Sequence, residues 1–187
     1  MRPSKLRATA MSATSAALAT TAFLDLVQEQ GFLSLTLREV AARAGLGMAE
    51  LYSLAPSKAA LVNLTSRTLD LDALRAVPAD ETEAHDRLFD AVMARLEVMA
   101  PRRDALIAIA RQAPALTLAQ FPFTARALLE AAGLEAKPVR VAAMAAAWAQ
   151  IARVWRKDEG ALNRTMAEAD TRLRQMRSAL SRISAGY

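Results

Sequence analysis

The sequence contains no cysteine and only one histidine, His85, in 187 residues. The absence of cysteine excludes disulfide bonds, thiolate metal sites, iron–sulfur clusters and cysteine nucleophiles. A single histidine leaves little material for a metal site or a Ser-His-Asp triad, and we interpret the acids around it at residues 80–90 as charges that offset the positive end of a helix. There is also no glycine-rich phosphate loop or nucleophile elbow. We therefore expect a protein that is not an enzyme and that needs no cofactor or metal ion.

Long hydrophobic runs are also absent. The nearest candidate, residues 141–152, is short, mostly alanine and interrupted by Gln150, so we expect no membrane span and a cytoplasmic protein. Glycine (6) and proline (7) are scarce, whereas 44 residues are alanine and 20 of the 24 cations are arginine. Alanine, leucine, arginine and methionine favour helices, and strand-forming residues are few. The composition therefore predicts an all-α fold.

The net charge of +5 is concentrated at the start of the chain. Arg2, Lys5 and Arg7 precede the first acid, Asp25. Such an acid-free, arginine- and serine-containing start is found in mitochondrial transit peptides, but helix-like sequence begins by about Thr14. We interpret residues 1–13 as a flexible basic arm that meets an anionic partner.

Glycine and proline divide the rest of the chain into nine segments, which we expect to be nine helices. The boundaries are Gly31, Gly45, Pro56, Pro78, Pro101, Pro114 with Pro122, Gly133 with Pro138, and Gly160. Several segments begin with a helix-capping pattern: Thr36 with Glu39, Asp80 with Glu83, Thr117 with Gln120, and Ser57 after Pro56.

The segment from Thr36 to Leu61 has the pattern of a helix-turn-helix motif. A short capped helix ends at Ala44, Gly45 permits a left-handed turn, and a second short helix follows from about Gly47. Ala41 lies four residues before the turn, where two helices must approach closely. An ordinary αα-hairpin is the alternative structural interpretation.

Residues 14–64 resemble the DNA-binding domain of the TetR family of transcriptional regulators. The family pattern T-x-x-x-[IV]-A-x-x-A-G-[VL] is matched by Thr36, Val40, Ala41, Ala44, Gly45 and Leu46, and its following elements by Leu51, Tyr52, Lys58 and Leu61. The resemblance implies a helix-turn-helix domain at residues 14–56, a connecting helix at 57–77, and a ligand-binding and dimerisation domain at 78–187. It also implies a transcriptional regulator, either a repressor or an activator, with duplex DNA as its partner.

The resemblance further implies a role for each matched position. Thr36 would cap a helix that meets a DNA phosphate, and Tyr52 and Lys58 would bind phosphates. Gly47, Met48, Ala49 and Ser53 would face the major groove. The family's usual Ser or Thr after the turn is Gly47 here, and its usual aromatic pair is replaced by Leu54 and Ala55.

The second helix of the motif has few groups that read bases. No Arg, Lys, Asn or Gln occurs between Gly45 and Ser57, and Glu50 is the only charged residue there. The alternative function is therefore a TetR-like protein that has lost sequence-specific DNA binding and binds lipids or isoprenoids. The ubiquinone-biosynthesis lipid carriers are such proteins, and residues 86–101 are partly similar to them.

The middle segments are apolar around most of their circumference, which is typical of buried helices or of helices that line a cavity. By resemblance to the family, an apolar or amphipathic small molecule would bind among the fifth to seventh helices. Core packing is the alternative explanation of the same pattern. The expected pocket residues are Phe89, Val92, Met93, Leu96, Leu106, Ile109, Phe123 and Leu128.

The last two segments carry narrow apolar stripes at alternating spacings of three and four residues. We expect them to form a homodimeric four-helix bundle, with packing inside one chain as the alternative. The stripes consist of Val141, Met144, Trp148, Ile151 and Trp155 in the eighth segment and of Met166, Leu173, Met176 and Leu180 in the ninth.

Overall fold

The computed structural model describes residues 3–77, 83–158 and 162–185, with the side chains of residues 13–182 in those ranges. These residues form nine α-helices and no strand, which confirms the predicted all-α fold. A short 3-10 turn joins the fifth helix to the sixth. The helices are α1 (Pro3–Gln30), α2 (Leu37–Ala44), α3 (Met48–Leu54), α4 (Lys58–Ala76), α5 (Ala84–Met99), α6 (Arg103–Gln112), α7 (Pro114–Ala131), α8 (Pro138–Trp155) and α9 (Asn163–Ala185).

The start of the chain differs from the expectation. Helix α1 begins at Pro3 instead of near Thr14, so the backbone of residues 3–13 is helical where we expected a flexible arm. This segment contains no glycine, and proline is tolerated in the first turn of a helix because its missing N–H is not needed there. Arg2 and the side chains of Lys5 and Arg7 lie outside the described residues.

The predicted helix caps have different outcomes. The Ala60 N–H donates to Ser57 Oγ at 3.1 Å, which confirms Ser57 as a capping residue. The cap at Thr117 is wrong, because α7 begins three residues earlier, at Pro114, and the Thr117 hydroxyl donates to the Ala113 carbonyl. Proline at a first helical position is already set at helical φ, and the start at Pro114 places Thr117 inside the helix. Asp80 lies outside the described residues.

The chain divides into two compact units. The first, which we call the head, comprises residues 1–68 and 102–117, and the second, which we call the body, comprises residues 69–101 and 118–187. The helix-turn-helix segment lies in the head. So does α6, although the sequence placed residues 102–117 with the ligand-binding domain.

The head has a core built on α1. Phe23, Leu24 and Val27 are almost completely buried, and the Phe23 and Phe32 rings pack edge to face with centroids 6.2 Å apart. Val40, Leu51 and Leu61 bring α2, α3 and α4 onto this core, and Ile109 adds α6. Burying one leucine- or phenylalanine-sized side chain stabilises a protein by about 1.5–3 kcal/mol. The core therefore determines where the exposed sides of α2 and α3 lie.

The body is organised around the pair of helices α8 and α9, with α5 against α9. The apolar stripes of α8 and α9 fill their mutual contact, and Met144, Ile151, Trp155 and Leu173 are at most 2% exposed. None of the described helices is long and apolar enough to cross a membrane.

Candidate DNA-binding surface and ligand cleft

Helices α2 and α3 are joined by a tight left-handed turn. Gly45 has φ 67° and ψ 24°, a conformation that glycine adopts without the steric cost that other residues meet. The Gly45 N–H donates to the Ala42 carbonyl at 3.2 Å and the Leu46 N–H to the Ala41 carbonyl at 2.9 Å, which is the Schellman arrangement. Ala41 is 2% exposed, as its predicted place between the helices requires.

The start of α2 is closed by a complete capping box, as the sequence predicted. The Glu39 N–H donates to Thr36 Oγ1 at 3.3 Å, and the Thr36 N–H donates to Glu39 Oε2 at 2.7 Å. These hydrogen bonds from Thr36 hold the pKa of Glu39 below its usual value. Both side chains are exposed, so the first turn of α2 is a rigid feature of the surface.

The predicted major-groove residues form the exposed side of α3. Leu51 is fully buried, whereas Met48 is 41% and Tyr52 is 58% exposed. Gly47, Ala49 and Ser53 are also exposed. The structure therefore exposes Gly47, the N-cap residue, and the four predicted positions within α3.

Two polar groups of α3 are held by hydrogen bonds inside the head. Ser15 Oγ of α1 donates to Glu50 Oε1 at 2.6 Å. The Ser53 hydroxyl donates to the Glu50 carbonyl at 2.7 Å and is thereby turned toward its own helix. Glu50 was noted in the sequence, but its partner on α1 was not, because no local pattern links residues 35 positions apart.

Two cations of the head, Lys58 and Arg43, have partners within the chain. Lys58 Nζ donates to the Phe32 and Leu33 carbonyls at 3.2 and 2.9 Å and lies 5.2 Å from the centre of the Phe32 ring. Arg43 forms a bidentate pair with Glu29, with both N–O distances at 2.7 Å. Lys58 thus ties α4 to the loop that follows α1, where the resemblance implied a phosphate contact.

Comparison with known proteins agrees with this geometry. The model of the bacterial regulatory proteins of the tetR family matches residues 20–64, about a quarter of the chain. The N-terminal domain is a TetR-type domain.

Among solved structures, a TetR transcriptional regulator from Rhodococcus sp. RHA1 is 16% identical, with 87% of this chain and 95% of that chain covered and a TM-score of 0.62. The TetR regulator from Nitrosomonas europaea ATCC 19718 is 15% identical, with 86% and 97% covered and a TM-score of 0.65. The chain therefore has the TetR fold, while no curated protein matches it in sequence.

The TetR-type domain departs from its family pattern at the start of α3. Gly47 is the N-cap residue of α3 and provides no side-chain hydrogen bond. Its φ of −67° is available to any residue, and a Cβ there would meet no atom within 4 Å. The glycine is therefore not required by the fold, and a serine would fit.

The predicted pocket residues of this TetR fold do not share one site. Ile109 lies in the core of the head with Leu106 against it, whereas the other six belong to the body. Among these six, Val92, Leu96 and Leu128 are buried in packing, and Phe123 is 63% exposed. Phe89 and Met93 are half-buried. Leu106 and Ile109 thus lie in a different unit from the other six, because apolar helices pack in either unit and periodicity does not say which.

The body contains a cleft that the sequence prediction missed. It has about 10 Å³ of space for a water-sized molecule and is partly open to solvent, and Leu128 is the only predicted pocket residue that lines it. Its other lining residues are Asp70, Ala73, Leu74, Val77, Ala91, Arg95, Ala127 and Ala131.

Two charged residues of this cleft form a buried pair. Arg95 Nε donates to Asp70 Oδ1 at 2.7 Å, and the Arg95 and Asp70 side chains are only 5% and 10% exposed. The Thr124 hydroxyl donates to the same carboxylate oxygen at 3.1 Å, and the Arg95 guanidinium lies 6.0 Å from the Trp148 ring. Burial lowers the pKa of Arg95, and the charge of Asp70 opposes that shift. The sequence signal that could have revealed this pair is the position of Arg95. It falls at helical spacing within an otherwise apolar series, Leu88, Val92 and Met99.

The predicted dimer stripe is mostly covered inside one chain. Six of its nine residues are buried in the body, and Val141, Met166 and Leu180 retain exposed surface. All six are at most 8% exposed and are thus covered by other parts of the same chain. The six are Met144, Trp148, Ile151, Trp155, Leu173 and Met176.

His85 contacts a carboxylate from another helix. Its Nε2 lies 3.4 Å from Asp170 Oδ1 of α9, and Asp170 also accepts from Arg174 Nε at 2.9 Å. Desolvation raises the pKa of Asp170, and the hydrogen bonds from Arg174 and His85 outweigh it and lower that pKa. His85 therefore joins α5 to α9 within the body.

Proposed function

We propose that the chain is a ligand-responsive transcriptional regulator that binds duplex DNA as a homodimer. The observation that carries this proposal is the exposed side of α3 on a complete helix-turn-helix, within the segment that matches the tetR family model. In such motifs the second helix enters the major groove and the first crosses the backbone. The lipid-carrier alternative is not favoured, since the family match and the neighbouring structures are those of regulators.

Phosphate binding is proposed for the start of α2 and for two exposed side chains. The capped first turn at Thr36 directs backbone N–H groups outward, and such groups bind anions. Arg38, also on α2, and Tyr52 are exposed, and neither forms a hydrogen bond or ion pair with another described residue. Lys58 would have to leave the Phe32 and Leu33 carbonyls to reach a phosphate, so we give it a bracing role instead.

An amphipathic small molecule is proposed to bind in the cleft of the body. The cleft as it stands has room for about one water molecule, so a bound molecule would have to widen it. Its alanine and leucine walls favour an apolar part, while the Asp70–Arg95 pair offers hydrogen bonds to a polar part. Asp70 and Lys58 belong to the same helix, α4. A small molecule that changes the position of α4 would therefore be coupled to DNA binding. The small molecule and DNA would each change the affinity of the chain for the other by the same factor.

The homodimer is proposed to form through the outward face of α8 rather than through its buried stripe. Val139 is 50% exposed, and Ala142, Ala146 and Arg153 continue the same exposed side at helical spacing. Small side chains allow two helices to approach closely. A two-fold axis through this face would bring the same patch of both copies together in an isologous contact.

The test is a binding selection with the purified full-length chain on random duplex DNA at near-physiological salt. We expect enrichment of a palindrome whose half-sites are about 10 base pairs apart or a multiple of that, as two-fold symmetry requires. Absence of enrichment from a folded and dimeric protein would refute DNA reading.

A variant pair separates phosphate contacts from general charge effects. Arg38→Ala should weaken binding to all duplexes similarly and reduce the salt slope by about 1. Arg126→Ala, which removes an exposed arginine of the body, is the matched control and should leave both quantities unchanged.

A further inference from the structure

Few groups on the exposed side of α3 can read a base. Gly47, Met48 and Ala49 have no hydrogen-bonding side chain, and the Ser53 hydroxyl already donates to the Glu50 carbonyl. The residues that read guanine or adenine with two hydrogen bonds are absent between Gly45 and Ser57. The side-chain acceptors of α3 that remain for a base edge are the Glu50 carboxylate and the Ser53 oxygen, since the Tyr52 hydroxyl is proposed for a phosphate. The carboxylate offers two oxygens, whereas the Ser53 hydroxyl is turned toward its own helix.

Glu50 lies where base contacts are made in a helix-turn-helix. It is the third residue of α3, and the first residues of a recognition helix contact the base edges. Glu50 is exposed, and the Ser15 hydroxyl donates to its Oε1 at 2.6 Å. A carboxylate has two oxygens and about four acceptor positions, so Oε2 remains available to a donor.

The chemistry of an acceptor-only group selects one base. Cytosine presents an N4 amine in the major groove, and glutamate accepts from it. Adenine also presents an amine, but its N7 acceptor lies beside it and repels a carboxylate. Alanine and other apolar side chains contact the methyl group of thymine.

We propose that Glu50, positioned by Ser15, is the specificity-determining residue of α3 and selects cytosine in each half-site, with Met48 and Ala49 contacting a neighbouring thymine methyl. This inference rests on the proposed DNA-binding function. Its rival is simple repulsion between Glu50 and the phosphates, and the two make opposite predictions for the Glu50→Ala variant.

The experiment repeats the random-duplex selection with Glu50→Ala, Glu50→Gln and Ser15→Ala, and measures the affinity of each variant for the duplex that the unmodified chain selects. Glu50→Ala should lose the preference for cytosine at one position per half-site and bind that duplex at least about fivefold more weakly. Glu50→Gln should change the preference to adenine, which glutamine contacts with two hydrogen bonds. Ser15→Ala should weaken the cytosine preference without replacing it. Glu97→Ala, which removes an exposed acid of the body, is the charge-matched control.

Two results would overturn the inference while leaving the proposed function intact. One is a uniform rise in affinity of Glu50→Ala for all duplexes, and the other is an unchanged base preference in the Glu50 variants. If the unmodified chain itself enriches no sequence, the proposed function fails, and Glu50 reads nothing.

Discussion

One arginine–carboxylate pair of the head and one of the body lie in opposite environments. In the head, Arg43 and Glu29 form a bidentate pair with side chains 41% and 54% exposed. In the body, Arg95 and Asp70 form a pair with side chains 5% and 10% exposed. Exposed pairs contribute little to stability because water and salt screen them, whereas a buried charge depends strongly on its partner. The Arg43–Glu29 pair thus lies at the surface of the head, and the Arg95–Asp70 pair lies inside the cleft of the body.

The largest effect is expected from breaking the buried pair. Arg95→Met leaves Asp70 buried without its cationic partner and should lower the free energy of unfolding by about 3–5 kcal/mol. The measurement is urea denaturation followed by circular dichroism. Arg43→Met in the head is the matched control and should leave the denaturation midpoint within error of that of the unmodified chain.

A second substitution sharpens this prediction. Combining Arg95→Met with Asp70→Leu removes both charges, and apolar replacement of a buried pair is often neutral. The double variant should therefore be more stable than Arg95→Met alone. Equal stability of Arg95→Met and the unmodified chain would show that the buried pair and the exposed pair do not differ in this way.

The second-largest effect is expected in the seam between α8 and α9. Leu173→Ala removes a side chain that is 1% exposed and should cost about 2–5 kcal/mol in denaturation, with the assembly mass unchanged. Ala146→Glu changes the exposed face of α8 and should reduce the mass in sedimentation to that of a monomer, with the chain still folded. A monomer from Leu173→Ala, or an unchanged dimer from Ala146→Glu, would contradict the proposed dimer face.

A smaller effect is expected from the capping box of the head. Thr36→Ala removes the side chain that caps α2 and should lower the free energy of unfolding by about 1 kcal/mol. Thr171→Ala, at an exposed position inside α9, serves as the control because it removes a threonine that caps nothing. Similar losses for both variants would argue against a specific role of the cap.

The smallest expected effect is a gain in stability. Gly47→Ser should stabilise the chain by a few tenths of a kcal/mol, since serine caps α3 at a position where a side chain has open space. Thermal unfolding measures this change. A lower melting temperature would show that Gly47 is needed for a reason other than the cap.

The head was predictable because its signals are local. The Thr36–Glu39 cap, the Gly45 turn and the buried Ala41 each depend on residues within five positions along the chain. The apolar periodicity of α8 and α9 correctly indicated helix packing. It did not identify the partner, because a stripe looks the same whether it meets its own chain or a second copy.

The cleft of the body was not predictable for a different reason. Asp70 and Arg95 are 25 residues apart, and Thr124 is a further 29 residues along. No local pattern links these residues, and each taken alone has the sequence appearance of a solvated polar residue. Ser15 and Glu50 in the head are likewise far apart in the sequence, and no local pattern links them.

The most direct test of DNA binding by the head is hydrogen–deuterium exchange of the full chain with an excess of random-sequence duplex at low salt. Non-specific binding is strongest under these conditions, so the test does not depend on knowing the operator. We predict slower exchange of backbone amides in α2, in the Gly45 turn and in α3, with no change in α7. Unchanged exchange in α2 and α3, or protection confined to the body, would contradict DNA binding by the head.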